Sequence, residues 1–332
     1  MSKEMYDLIS VGDATIDTFI KIHDAHVQCN INKEDCVLCV SYGDKIAVDS
    51  IAHLVAGNAA NNAVGSARLG MNSAIYVNVG EDDAGERIKN VIEKEGVDGS
   101  YIVVNKSMES NYSAVVNFEG ERTIFVYHQH WNYRLPELEP AKWVYLTSLS
   151  KSFAESTLIK DLVDYLKETG AKLGYNPGTY QMEVGVKKDS ELLKLTEVFF
   201  VNLEEAKRVL DIAESTKIDI KDLLKKIIAD LDVKNVVITD GREGSYAYDR
   251  KDFYRIGEFP GERIEATGAG DGFATACEAA IFNGHSLKEG LAWGSINGAS
   301  VVGQVGPQAG LLTKEQMEKT LADNPDFKAE SF

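Results

Sequence analysis

Short apolar runs ending near glycine or asparagine alternate with helical stretches along most of this chain, and few folds accept that rhythm. YDLISVG (6–12), SAIYVNVG (73–80), WVYLTSL (143–149), AKLGYNPG (171–178), EVFFVNLEEAKRVL (197–210) and NVVITDGREGSYAYD (235–249) read as buried strands or strands entering helices. Between them, Asn58 is placed to cap a small-residue helix that ends at Gly70, and Ile88, Val91 and Ile92 share one helical face. A further helix is expected from Ala154 to about Glu168, and two more within 267–304. Apolar strands that alternate with helices imply a mostly parallel sheet covered on both faces, a three-layer α/β/α sandwich.

Two segments break the rhythm. Residues 36–40 and 45–51 flank the polar turn SYGD and read as a strand pair. YSAVVNFEGERTIFVYH, at 111–128, reads as a β-hairpin turning at Glu-Gly-Glu-Arg. No linker or repeat divides the chain, so 1–332 is expected to form a single α/β domain with a discontinuous β lid at roughly 15–54 and 109–130.

A formal net charge of −17 argues against non-specific nucleic-acid binding, which needs clustered Lys and Arg. The N-terminal stretch lacks a secretory pattern, and no run approaches the roughly 18 apolar residues of a membrane span. The expectation is a cytoplasmic protein with no membrane partner. Cys29, Cys36 and Cys39 lie close together, but without a fourth ligand they read as reduced cysteines in or beside a sheet rather than as a zinc site.

The sequence ATGAGDGFATACEAA, residues 266–280, places Gly268, Ala269 and Gly270 directly before Asp271, with small side chains suited to a helix after it. Bare backbone at a helix N-terminus offers free N–H groups and a favourable dipole to a phosphate. A carboxylate there makes sense if the phosphoryl group is in transit and Asp271 takes the proton of an attacking hydroxyl. The plainer alternative is an acid stabilising its own helix. No Gly-Lys-Ser/Thr triplet and no protein-kinase signature occurs.

The loop and the run Gly57-Asn58-Ala59-Ala60-Asn61 resemble the two signatures of the ribokinase-like, or PfkB, family of small-molecule kinases. Gly80-Glu81-Asp82-Asp83-Ala84-Gly85 looks like that family's Gly-x-Asp-x-x-Gly turn. The resemblance spans nearly the whole chain. It implies ATP-dependent phosphorylation of a hydroxyl on a small sugar or sugar acid. It assigns Asp13, Asp17, Gly57, Asn58 and Asn61 to the acceptor, and Asp271 to catalysis as the base beside the amides of Gly268, Ala269 and Gly270. Asn202, Glu205, Thr239, Gly241 and Gly244 fall to the nucleotide, with Glu205 reaching Mg2+ through water. Each keeps a plain reading beside this one: Asp17 a surface acid, Asn61 a backbone partner, Glu205 a helix-start acid, the glycines a hairpin turn.

Two departures from the family pattern stand out. Where relatives read Asp-Thr before the loop, this chain has Glu265 and Ala266, followed by Thr267. The resemblance implies a potassium ion near Glu265 and Thr267, but the longer side chain changes its seat. The stretch between Ile22 and Val55 is also longer than in the short ribokinase type. The resemblance further implies a homodimer paired through the lid. A nucleoside kinase of adenosine type is the alternative, since Tyr42, Phe118, Phe125, Tyr127 and Trp131 in or beside the lid could clamp a base. A catalytically dead sugar-binding protein is the third, against which the intact Asp271 speaks.

Overall fold

The computed structural model describes residues 5–29, 36–119 and 121–332. Strand β1 (Tyr6–Val11) belongs to a ten-stranded sheet. The chain then leaves that sheet for β2 (Thr15–Ile22), the short pair β3 (His26–Cys29) and β4 (Cys36–Cys39), and β5 (Val48–Ala56). It returns through α1 (Asn58–Arg68), β6 (Ser73–Gly80), α2 (Asp83–Lys94) and β7 (Asp98–Asn105). A second excursion forms β8 (Tyr112–Phe118) and β9 (Glu121–Tyr127).

The main sheet resumes with β10 (Ala141–Leu146), α3 (Leu158–Thr169), β11 (Lys172–Tyr175), α4 (Thr179–Val184) and α5 (Ser190–Leu195). Next come β12 (Thr196–Asn202), α6 (Leu203–Val209), α7 (Ile220–Leu231) and β13 (Asn235–Thr239). The chain closes with β14 (Ser245–Tyr248), β15 (Phe253–Ile256), α8 (Ala269–Phe282), α9 (Leu287–Val302), α10 (Lys314–Asp323) and β16 (Glu330–Ser331).

Strand order is β16-β15-β14-β13-β12-β11-β10-β1-β6-β7. Strands β13 through β7 in that order are parallel, and β14, β15 and β16 add antiparallel at one edge. Central strands are apolar at nearly every position because helices cover both faces. Ile9 and Val11 point into one core with Leu162 of α3 and Leu224 of α7, while Leu8 points into the other with Phe273 of α8 and Leu291 of α9. That makes three layers, as the sequence pattern implies.

The excursions build a separate sheet of order β5-β2-β8-β9, with β2 and β8 parallel and the other pairs antiparallel. The 111–128 hairpin forms as expected; Gly120 at its turn lies outside the described residues. Residues 36–40 and 45–51, however, do not pair with each other. β4 pairs with β3, and β5 pairs along the whole of β2, because a long antiparallel partner satisfies more backbone groups than a short hairpin would.

That pairing sets Cys29 opposite Cys36, with Cα atoms 4.0 Å apart, and the two form a disulfide rather than staying reduced. Cys39 and Cys277 are free. Two helix boundaries also differ from expectation. Residues 151–155 form a 3-10 turn before α3 starts at Leu158, because Ser156 is extended. Asn58 does not cap α1: Gly57 does, at φ 97°, and Asn58 is the first helical residue. A Cβ on Gly57 would lie 2.6 Å from the Asp13 carbonyl oxygen, so the cap position admits only glycine and the Asn58 side chain is left for other work.

Candidate active site

A cavity of about 460 Å³ opens at the carboxyl ends of the parallel strands, under the smaller sheet. One side gathers Asp13 just beyond β1, Asp17 on β2, Gly57 and the α1 side chains Asn58 and Asn61. Its far side gathers Asn202, Glu205, Thr239, Thr267, Gly268, Gly270 and Asp271. A second cavity of about 320 Å³ adjoins it and brings in Gly241, Gly244 and Ala269. Of the residues assigned from sequence to the acceptor, the nucleotide, catalysis or a cation, each lines one of these two spaces except Glu265.

Asp271 is buried in the first turn of α8 and accepts a hydrogen bond from Asn61 Nδ2 at 2.8 Å. Burial pushes its carboxyl up to about 6; Asn61 pulls it down, while the charges of Glu205 and Asp17 add to the rise. The helix begins two residues earlier than its sequence suggests, with Gly268 as cap at φ 81°. A Cβ there would lie 2.3 Å from Pro307 Cβ. Ala269 N–H donates to Ala266 and Gly272 N–H to Gly268, which leaves the amides of Gly270 and Asp271 without a backbone carbonyl among the described residues. Open amides at the positive end of a 14-residue helix form an anion cradle beside the carboxylate.

The Asp13 and Asp17 side holds buried carboxylate oxygens without donors among the described residues. Asp13 Oδ1 accepts from Tyr133 OH at 2.5 Å, but its Oδ2 and Asp17 Oδ1 have no partner there. Burial pushes Asp13 up to about 7 and Asp17 up to about 6. Buried acceptors left open are what the hydroxyls of a ligand would satisfy.

Asn202 and Glu205 form a reciprocal cap on α6: Asn202 Oδ1 accepts from Glu205 N–H, and Glu205 Oε2 accepts from Asn202 N–H, both at 2.8 Å. Helix capping thus accounts for part of this pair, though both side chains also line the cavity. Burial raises the Glu205 carboxyl. Glu265 lies behind the loop, where one oxygen accepts from the Thr267 N–H at 2.8 Å and from its hydroxyl, and the other has no partner among the described residues. Asp82 caps α2 and accepts from Ser110 N–H at 2.8 Å, so the Gly80–Gly85 turn ties the approach to β8 to the main body rather than lining either cavity.

The sequence reading missed Arg122, His128 and Tyr133. Arg122 on β9 lines both cavities and has no ion pair or hydrogen bond among the described residues. A signal for it existed: period-two alternation puts Arg122, Ile124, Val126 and His128 on one face of the strand, and all four face the cavity. Nothing local pointed to Tyr133, which reaches Asp13 across 120 residues.

The aromatic clamp of the nucleoside-kinase alternative is not formed by the residues offered for it. Tyr42, Phe118, Phe125, Tyr127 and Trp131 line neither cavity; Phe125 and Tyr127 occupy the opposite face of β9, and Trp131 is fully buried in the main core.

Comparison with known proteins agrees with this geometry. The chain is 24% identical over 304 residues to an ATP-dependent 6-phosphofructokinase of Thermoanaerobacterium thermosaccharolyticum, covering 87% of this chain and 85% of that one. It is 26% identical over 284 residues to a 5-dehydro-2-deoxygluconokinase of Geobacillus thermodenitrificans, with 80% and 83% covered. The fold of Arabidopsis thaliana ribokinase, solved with ribose and ATP, superposes with a TM-score of 0.76 over 96% of this chain and 99% of that one, at 21% identity. Residues 18–314 match the pfkB family carbohydrate kinase profile. The chain therefore belongs to the PfkB family of carbohydrate kinases, ATP-dependent phosphotransferases that act on a hydroxyl of a small sugar or sugar acid.

Proposed function

We propose that the larger cavity holds the acceptor sugar and the smaller one the nucleotide, with Asp271 as general base at their junction. Asp271 takes the proton of one acceptor hydroxyl as that oxygen attacks the terminal phosphorus of ATP. The new O–P bond forms, the bond to the bridging oxygen breaks, ADP leaves, and the proton passes from Asp271 to solvent. The amides of Gly270 and Asp271 stabilise the charge on the transferring group. Asp13, Asp17, Asn58 and Asn61 hold the acceptor's hydroxyls and turn one of them toward Asp271. The observation that carries this reading is a buried carboxyl, raised by burial, beside open amides at the head of α8.

Glu205 lines the cavity with one oxygen outside its capping bond, which suits a water of a magnesium shell. Magnesium, when bound with the nucleotide, neutralises phosphate charge. Arg122 is the cation that reaches both cavities, and the same neutralisation falls to its guanidinium. The smaller sheet acts as a lid that excludes water, whose attack would hydrolyse ATP without product. A cytoplasmic setting, with its ATP, fits this chemistry.

The acceptor is a small sugar or sugar acid rather than a nucleoside. Asp, Asn, Ser and Thr side chains line its cavity beside Ile124, Val126, Phe200 and Phe273, and none of the five aromatic residues offered from the lid segments joins them to clamp a base. The test is ADP release with ribose, fructose, 2-keto-3-deoxygluconate, 5-dehydro-2-deoxygluconate and adenosine, each in potassium and in tetramethylammonium buffer. A sugar or sugar acid is expected to exceed adenosine in kcat/KM, and faster turnover of adenosine would overturn the assignment. Equal rates in the two buffers would remove any role for the open Glu265 oxygen as a potassium ligand.

The outer face of the lid is apolar. Val48 and Phe125 are exposed on it, and they line a groove of about 440 Å³ with Val37 and Leu38 of β4. We propose that a second copy covers this face, giving a homodimer through the lid. Light scattering at micromolar concentration is expected to return twice the chain mass, and an active monomer would remove this idea.

A further inference from the structure

Glu278 is a fully buried carboxyl that the reaction just described does not use. It lies on α8 seven residues after Asp271, with Thr275 between them, so the three share one face of the helix. That face meets α1 and the main sheet. The Glu278 carboxyl occupies the space above Gly174 of β11: a Cβ on Gly174 would lie 2.4 Å from Glu278 Oε1. Tyr145 of β10 stands beside Gly174 in register, and Ser10 of β1 stands beside Tyr145.

Two consecutive asparagines of α1 reach this face. Asn61 donates to Asp271 at 2.8 Å. Asn62 donates to Thr275 Oγ1 at 3.1 Å and to Glu278 Oε2 at 3.5 Å, while its own oxygen accepts from Ser10 Oγ at 2.5 Å. Among the described residues neither Glu278 Oε1 nor Tyr145 OH has a partner, and no Lys, Arg or His joins the cluster. Burial raises the Glu278 carboxyl well above the usual range, so it is held neutral.

At the α1–α8 contact a Cβ on Gly65 would lie 2.9 Å from Thr275 Cγ2, so the two helices approach closely there. Small side chains let helices approach closely but supply no knob to stop one sliding or rotating on the other. Asn61 ties α1 to the first turn of α8, and Gln308 donates to its oxygen at 3.2 Å. The Asn62 attachment, one to two turns further along α8, adds a second constraint on the register of the two helices.

We propose that Glu278 is a positioning residue for phosphoryl transfer: by anchoring Asn62 it fixes the register of α1 on α8, and so holds Asn61 and Asp271 in line with the acceptor. The proposal rests on Asp271 being the base. It gives the buried acid a purpose that packing alone does not, since an apolar side chain of similar volume would fill the space without burying a polar group.

The test compares Glu278→Gln, Glu278→Leu and Asp271→Asn in the full-length enzyme, reading kcat, KM for the acceptor, the pH profile and the melting temperature. Glu278→Gln keeps the shape and a neutral polar group, and is expected to stay within about twofold of the parent, whereas Glu278→Leu loses about 10–100-fold in kcat through misplacement. With Asn61 loosened, Asp271 loses a donor that holds its carboxyl down, so the acid limb of the Leu variant moves to higher pH while its melting temperature does not fall. A parental kcat and acid limb in Glu278→Leu would overturn the proposal, as would a Gln variant as impaired as the Leu variant. Should Glu278→Leu fail to fold, Asn62→Ala decides: a displaced acid limb supports the positioning role and a parental one refutes it. Asp271→Asn separates the two levels. If it turns over normally, the base assignment fails; if it is inactive while Glu278→Leu is unaffected, only the present inference fails.

Discussion

Asp271→Asn is expected to lower kcat by about 10²–10⁴-fold, the usual loss on removing a general base. The amide keeps the shape and the bond from Asn61, so nucleotide affinity and melting temperature stay near the parent's. If Asp271 only stabilised its own helix, the pattern would reverse: stability would drop by about 1 kcal/mol or less and turnover would survive. Measuring kcat and melting temperature on one preparation separates these readings. The pH profile adds a second readout. The Asp271 carboxyl is pushed up to about 6, and the base acts only when ionised, so kcat/KM rises with pH through that range and flattens above it. Asp13 and Asp17 titrate nearby, which makes the parental acid limb steep; the Asn variant loses the part that belongs to Asp271.

Gly268→Ala is expected to impair both folding and turnover. Gly268 caps α8 at φ 81°, and a Cβ would lie 2.3 Å from Pro307 Cβ and 2.7 Å from its Cα. Left-handed strain alone costs a non-glycine residue about 1–3 kcal/mol, and relieving the overlap must shift the loop that aims the amides. Loss of one well-placed donor to a developing charge typically costs about 10²–10³-fold in kcat. The control is Gly270→Ala, whose Cβ would meet nothing within 4 Å. Its melting temperature should match the parent's, whereas Gly268→Ala should melt clearly earlier. Equal melting temperatures would show that the cap position tolerates a side chain.

Much of this was legible in the sequence, for identifiable reasons. Parallel strands buried on both faces leave nearly unbroken apolar runs, so β1, β6, β10, β12 and β13 announce themselves. Glycines that must approach backbone, such as Gly57 and Gly268, mark the site because no other residue fits there. What failed was non-local. Of residues 45–51 only 48–51 form a strand, and their partner is β2 rather than the neighbour in sequence, a choice that depends on hydrogen bonds made across some 30 residues. The Cys29–Cys36 bond followed from the same pairing, as register set the two side by side. Glu205 shows a different limit. An Asn-x-x-Glu spacing serves helix capping and ligand binding alike, and here the cap is made while the cavity is lined.

Strands β2 and β5 leave the main body side by side, at the point where Gly57 touches the Asp13 carbonyl. Any swing of the small sheet would therefore have its fulcrum at the Asp13 and Gly57 end of the larger cavity, the end proposed above for the acceptor. Asp17 stands two residues beyond Thr15, the first residue of β2, and Arg122 is level with Lys21, six residues beyond it. At roughly 3.4 Å per residue, the lever arms are about 7 Å and about 20 Å. The same rotation would carry Arg122 about three times as far as Asp17, and on the function proposed above it would gear a small settling of the sugar to a long sweep of positive charge over the phosphates.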